Sequence, residues 1–327
     1  MLAPASIASA HGVGIERIAL LGDANTALDA VVFFPAPVPP VTTRLGPYDV
    51  LALPDAPPAP GRFPLILISH GSRGSMLSHH ALASHLALNG VVVAALSHEG
   101  DNFRDASGLG KTSSAYSRAR HVSRLLTATL NGSHGQRIDQ QRIGIIGYSA
   151  GSITAMMLAG ASPDFGRLEA YCKIRPRRSG ICEAHGVIEG DVPRAVAMLD
   201  VRIKAALLLA PIGVVLQESL AAVRVPVGIV AAQADEQLSL QLNLRPFLTH
   251  LRELALVEMV PGAGHFIFLA PCTDRQSATS PELCKDRPFI DRSRVQSMIN
   301  ELAISFFSYA FELDANQPQG NAEPLAP

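Results

Sequence analysis

The stretch RIGIIGYSAGSITAMMLAG, residues 142–160, decides the fold. Residues 142–148 form a short, nearly continuous apolar run, the pattern of a strand buried on both faces of a parallel sheet. Residues 149–161 continue with the small and apolar side chains of a core helix. Between them stands Gly147-Tyr148-Ser149-Ala150-Gly151, a G-x-S-x-G pentapeptide. A serine on so sharp a turn needs glycines two residues to either side, because the backbone is strained and closely packed there; its hydroxyl then stands clear of the sheet. The pentapeptide alone occurs often by chance. Its strand-turn-helix setting favours a nucleophile over a structural glycine turn. Residues 143–163 carry no charge, yet the glycines and serines at their centre suit a strand, a turn and a buried helix rather than a membrane span.

Working outward, residues 65–69 (LILIS) and 91–96 (VVVAAL) repeat the buried-strand pattern, with a helical pattern over 78–89 between them that ends at Gly90. Residues 113–130 read as a second amphipathic helix. Further strands fall at 203–209, 225–231 and 256–260, and helical patterns at 238–253 and 294–311. Residues 15–20 and 27–34 read as an opening hairpin stopped by Pro35, and 35–64 as a long proline-rich loop. Alternating strands and helices predict one doubly wound, mostly parallel α/β sheet with helices on both faces. The whole of 1–312 reads as a single domain. About forty residues, 162–200, separate the helix after Ser149 from the next strand, where such connections usually take about 2 to 6, so this insertion reads as a lid. Residues 313–327 are polar and read as a disordered tail.

Composition excludes other classes. The 327 residues are 48% hydrophobic and 17% charged, which is far too apolar for a disordered chain. Lys and Arg number 27 against 28 Asp and Glu, a net charge of -1, so no global field attracts nucleic-acid phosphates or anionic lipid.

A serine hydroxyl is a weak nucleophile near neutral pH and needs a base to take its proton. His265, in the glycine loop Pro261-Gly262-Ala263-Gly264-His265 directly after the last strand, is the expected base, with His185 and His98 as rivals. An acid must orient the imidazole, and Asp235 follows the strand at 225–231; the adjacent Glu236 is the alternative. Charge developing on a substrate oxygen must meet backbone N–H donors, expected from Ala150 and from Ser72 in the loop His70-Gly71-Ser72-Arg73-Gly74. His70 reads as a buttress of that loop. The cysteines lack the C-x-x-C spacing of a zinc or redox site, so no metal is expected, and acyl transfer by an activated serine calls for no organic cofactor. Cys172, Cys182, Cys272 and Cys284 allow three connectivities, and the local one closes two short loops. Ala8, Ser9 and Ala10 resemble the small-residue end of a secretory signal, though no basic leader or apolar run precedes them. Lys173, Arg175, Arg177 and Arg178 concentrate positive charge in the insertion. They read either as a solvated face or as a substrate-binding cluster for a free carboxylate.

The segments FPLILISHGSRGS, HALASHLALNGVVVAALSHEGDN, RIGIIGYSAG, VRIKAALLLAP, VRVPVGIVAAQAD and VPGAGHFIFLAPC together resemble α/β-hydrolases of the dienelactone-hydrolase-like group, which includes the platelet-activating-factor acetylhydrolase type. The resemblance implies an α/β-hydrolase fold, a catalytic triad of Ser149, Asp235 and His265, and an oxyanion hole of Ser72 and Ala150. It implies a serine esterase acting on a small-molecule carboxylic ester through an acyl-enzyme. An amidase or lactam hydrolase is the alternative, and a non-catalytic binding module a further one. Exported relatives carry disulfides at similar places, so Cys172–Cys182 and Cys272–Cys284 bridges and a periplasmic or secreted location are implied, with the cytoplasm as the alternative. Dienelactone hydrolases themselves use a cysteine nucleophile; Ser149 departs from that and points to ordinary esters. Arg120-His121-Val122-Ser123 stands where relatives place an acid, so a structural ion pair is expected to be missing.

Overall fold

The computed structural model describes residues 12–23, 25–174, 182, 191 and 197–316. Its central sheet is built on β1 (Gly12–Leu21), β2 (Ala27–Ala36), β5 (Leu53–Pro54), β6 (Phe63–Ser69), β7 (Val92–Leu96), β8 (Ile138–Tyr148), β9 (Ala205–Leu209), β10 (Val227–Ala232) and β11 (Leu254–Val260). They lie in the order β11-β10-β9-β8-β6-β7-β2-β1-β5. From β11 to β7 every neighbouring pair is parallel, and β2 joins β7, and β1 joins β2, antiparallel.

The continuous apolar runs are explained by burial on both faces. Leu65 and Leu67 of β6 face one core layer, with α2 (Thr112–Asn131) and α3 (Ala150–Leu158). Ile66 and Ile68 face the other, with α1 (His80–Leu88) and the last helix (Arg292–Asn316). The chain goes from β6 outward to β7 and then crosses back through α2 to β8 on the other side of β6. The order therefore reverses between β6 and β8, and a ligand crevice belongs outside the carboxyl ends of those two strands. The loop carrying Ser72 leaves one, and Ser149 leaves the other.

Several expectations need correction. Strand β2 runs through Pro35 to Ala36 instead of stopping there. Its pairing with β7 ends at Phe33, and the Pro35 carbonyl accepts the Ala59 N–H, so the side on which Pro35 lacks a donor has no strand to serve. Residues 35–64 are not one loop: β3 (Thr42–Leu45) and β4 (Tyr48–Leu51) form a separate hairpin, and β5 pairs with β1. The helical pattern at 238–253 divides into Leu240–Asn243 and Arg245–His250, where Pro246 begins a new helix rather than extending the old one. The last helix continues through Asn316, beyond the expected start of a tail at 313. Within the insertion, α4 (Phe165–Ile174) buries Leu168 and Tyr171 against the core. Arg175, Arg177, Arg178 and His185 lie outside the described residues. Both local disulfides, Cys172–Cys182 and Cys272–Cys284, are present. Among the described residues no helix is long and apolar enough to cross a membrane.

Residues 120–123 carry no acid, and α2 makes ion pairs of its own. The helix supplies cations, Arg118 to Asp101 and Arg120 and Arg124 to Asp23, and the acids come from loops.

His70, His79, His80, His98 and His121 are buried. Burial is the largest cause of their depressed pKa values: His79, His80 and His121 are pushed down to about 4 and His70 to about 3, and His98 lies well below its ordinary value. They stay neutral in the folded chain, whereas in the unfolded chain they bind protons below about pH 6.5. The unfolded state therefore binds more protons on acidification, and stability falls as pH drops from about 6.5 towards 4, by up to about 1.4 kcal/mol per pH unit for each histidine. Urea unfolding at pH 7, 6 and 5 should show the midpoint falling steadily; a flat profile would contradict the neutral assignment.

Candidate active site

Ser149 sits between β8 and α3 with φ 49° and ψ -117°, a left-handed conformation that an L residue adopts only under external constraint. The constraint is visible. The Ser149 N–H donates to the Leu209 carbonyl of β9 (3.0 Å), and the Ser149 carbonyl accepts from Ser152 Oγ (2.6 Å). The backbone is so close here that a Cβ on Gly151 would lie 2.0 Å from the Ser69 carbonyl oxygen, and one on Gly147 2.4 Å from the Gly151 oxygen. The glycines of the pentapeptide are thus steric necessities.

His265 reaches the serine from a short 3-10 turn (His265–Phe268) after β11, and its Nε2 lies 3.0 Å from Ser149 Oγ. Its Nδ1 lies 2.7 Å from Asp235 Oδ2. Asp235 Oδ1 accepts the N–H groups of Gln237 (2.9 Å) and Leu238 (2.7 Å), which fixes the carboxylate and leaves Oδ2 for the ring. With Nδ1–H donated to Asp235, Nε2 is free to accept the Ser149 hydroxyl proton. The side chains of His265 and Asp235 are 5% and 2% exposed, so water screens this line of groups little. Glu236 does not touch the ring: it accepts the backbone N–H of His265 (3.2 Å) and is exposed. The expected rival acid therefore grips the histidine loop by another atom.

Sequence reasoning overlooked Tyr148. Its hydroxyl donates to the His265 carbonyl (3.1 Å), and its ring packs on His265 and His79. Burial, reinforced by the Asp235 and Glu236 charges, raises its pKa well above the ordinary value, so it remains a neutral donor. Asp101 and Arg118 were also overlooked. They form a buried ion pair at 2.7 Å beneath the loop that follows β6, and no local pattern marks a loop acid and a helix cation as partners.

In that loop the Gly74 N–H donates to the Gly71 carbonyl (3.1 Å), making Ser72 and Arg73 the central residues of a turn. His70 lies beneath it. Its Nε2 accepts the His98 N–H (3.1 Å) and its Nδ1 is 2.6 Å from the Gly71 carbonyl. Ala150 is the first residue of α3, and its N–H has no carbonyl one turn back to take it. Beside Ala150 a slot of about 50 Å³ is lined by Ile153, Phe165, Leu168 and Ile212 together with the Asp101–Arg118 pair. His98 is held off the serine by its bond to Ser69 Oγ (2.9 Å).

Replacing Gly151 by Ala should destabilise the protein by more than the usual overpacking cost of about 1 to 3 kcal/mol, because backbone rather than a flexible side chain is struck. Urea denaturation measures this, and a Gly151→Ala protein with unchanged midpoint would refute the packing account.

The chain matches no protein-family model and no curated protein sequence. Solved structures do resemble it. A ferulic acid esterase from Streptomyces cinnamoneus superposes with a TM-score of 0.63 at 18% identity, over 94% of this chain and 92% of that one. The acylaminoacyl peptidase of Pyrococcus horikoshii gives a TM-score of 0.56 at 12% identity, over 91% of this chain but 42% of that one. With its mostly parallel sheet, helices on both faces and a serine at the sharp turn after β8, the chain has the α/β-hydrolase fold.

Proposed function

We propose that the protein is a serine esterase that cleaves a small carboxylic ester through an acyl-enzyme. The observation that carries this reading is the unbroken line from Asp235 through His265 to Ser149, at 2.7 and 3.0 Å. In this reading Ser149 Oγ attacks the ester carbonyl while His265 Nε2 takes its proton. Asp235 stabilises the imidazolium that forms, and the amides of Ser72 and Ala150 bind the oxyanion. His265 then gives the proton to the departing alcohol, and a water activated by the same imidazole releases the acid.

Ester is favoured over amide because the esterase neighbour is matched along nearly its whole length, whereas the peptidase is matched along less than half. The slot beside Ala150 suits a short acyl group. The two disulfides fit an oxidising compartment, so we also propose that the protein works outside the cytoplasm.

A fluorophosphonate should label Ser149 alone, and Ser149→Ala should abolish turnover without loss of fold. Among p-nitrophenyl esters, rates should fall as the acyl chain lengthens beyond butyryl, and a p-nitroanilide should react far more slowly than the matching ester. Faster anilide cleavage would make the protein an amidase, and absence of labelling would refute serine chemistry. Asp235→Asn should lower kcat on the order of 10⁴-fold, by favouring the wrong imidazole tautomer. Glu236→Gln should change it little, since the amide oxygen still accepts the His265 N–H. The reverse ranking would show that Glu236 is the orienting acid.

A further inference from the structure

The turn that carries the Ser72 amide is not held by its own backbone alone. Arg73 adopts φ 59°, a left-handed conformation for a residue with a Cβ, and its N–H donates to Asp101 Oδ1 (2.8 Å). The other carboxylate oxygen, Oδ2, receives Arg118 Nη1 (2.7 Å). The same guanidinium donates through Nη2 to the His70 carbonyl and through Nε to Thr154 Oγ1 (3.2 Å). His70 and Arg73 flank Gly71 and Ser72, and Thr154 is on α3, whose first residue is Ala150. One rigid, planar cation therefore ties together the loop bearing one proposed oxyanion donor and the helix bearing the other.

A buried ion pair is weak evidence for stability. Its side chains, 4% and 3% exposed here, lose most of their hydration, and apolar residues of similar volume often stabilise a fold as well or better. What apolar residues cannot do is accept the Arg73 N–H and donate to the His70 carbonyl at once. We propose that Asp101 and Arg118 are positioning residues for the oxyanion hole: they set the Ser72 amide at a fixed place relative to the Ala150 amide. The inference rests on the serine-esterase reading above.

The carbonyl oxygen becomes an anion only on the way to the tetrahedral intermediate, so a misplaced donor weakens binding of the transition state and leaves ground-state binding nearly intact. No hydrogen bond or ion pair joins the pair to His265 or Asp235, whose contacts with each other and with Ser149 are made without it.

The test uses the full-length protein with p-nitrophenyl butyrate as substrate and a trifluoromethyl ketone, which forms an oxyanion adduct with serine, as the transition-state mimic. In the apolar double variant Asp101→Leu/Arg118→Met the Arg73 N–H and the buried His70 carbonyl lose their partners, so the melting temperature should drop; at a temperature where the variant is folded, kcat should fall about 10- to 100-fold, as expected for a displacement of about 1 Å. The ketone inhibition constant should rise in parallel with the loss of kcat, the signature of a weakened oxyanion site. Arg118→Lys covers the case in which the double variant does not fold. It keeps a cation beside Asp101 but cannot span His70, Asp101 and Thr154 together, and it should show the same kcat loss with the same rise in the ketone inhibition constant. A folded double variant, or a folded Arg118→Lys protein, with parental kcat and ketone affinity would overturn the proposal and leave the pair a purely structural one. Failure of the parent protein to hydrolyse the ester or to react with a fluorophosphonate would instead overturn the esterase reading beneath it.

Discussion

The left-handed backbone of Ser149 is the constraint on which the rest of the site depends. A serine does not hold such a conformation unaided; it persists because β9 accepts its N–H, Ser152 Oγ donates to its carbonyl, and the backbone closes in at Gly147 against the first turn of α3 and at Gly151 against Ser69 at the end of β6. Removing the side chains of Gly147 and Gly151 is what lets two strands and a helix converge within one turn. The sheet order then determines what meets the serine. Because the chain reverses direction across the sheet between β6 and β8, the loops at those two strand ends part and leave room for a ligand.

Charge around the crevice is arranged by burial as much as by pairing. Histidines pack beneath and beside the site, at positions 70, 79, 98 and 265, but the deepest of them are kept neutral by lost hydration. They serve as shaped hydrogen-bonding groups, not as cations: His70 accepts the His98 amide, and His79 bonds the Phe268 carbonyl and packs on Tyr148. Arg118 is the buried cation in their midst, with Asp101 as its counter-ion. His265 alone among these four has a carboxylate on one ring nitrogen and the Ser149 hydroxyl on the other, which separates its surroundings from those of its neighbours. Tyr148 and Glu236 hold the same histidine through its backbone, one at the carbonyl and one at the amide. The ring is thereby positioned without its nitrogens being used.

How much was legible in the sequence follows from the range of each interaction. The buried parallel strands were visible as continuous apolar runs because both faces of a central strand meet helices, and a run of that kind needs no knowledge of its partners. The serine turn was visible because its steric demand falls on residues two positions away. His265 and the adjacent acids Asp235 and Glu236 were visible as candidates because each follows a strand that its apolar run had marked. The hairpin within residues 35–64 was missed, since prolines there mask short strands that pair at the edge of the fold. The partners of the α2 cations could not be read, because their acids, Asp23 and Asp101, arrive from loops distant in sequence.

By itself, then, the sequence determined the fold class and the serine turn, because strand periodicity and turn sterics are local properties. Only the tertiary structure decided which of two adjacent acids meets the imidazole, since Asp235 and Glu236 differ in direction by one backbone step and not in chemistry. Tertiary structure also decided that Arg118 joins the loop after β6 to the helix after Ser149. That contact spans residues 70, 101, 118 and 154, and only packing brings those four positions together.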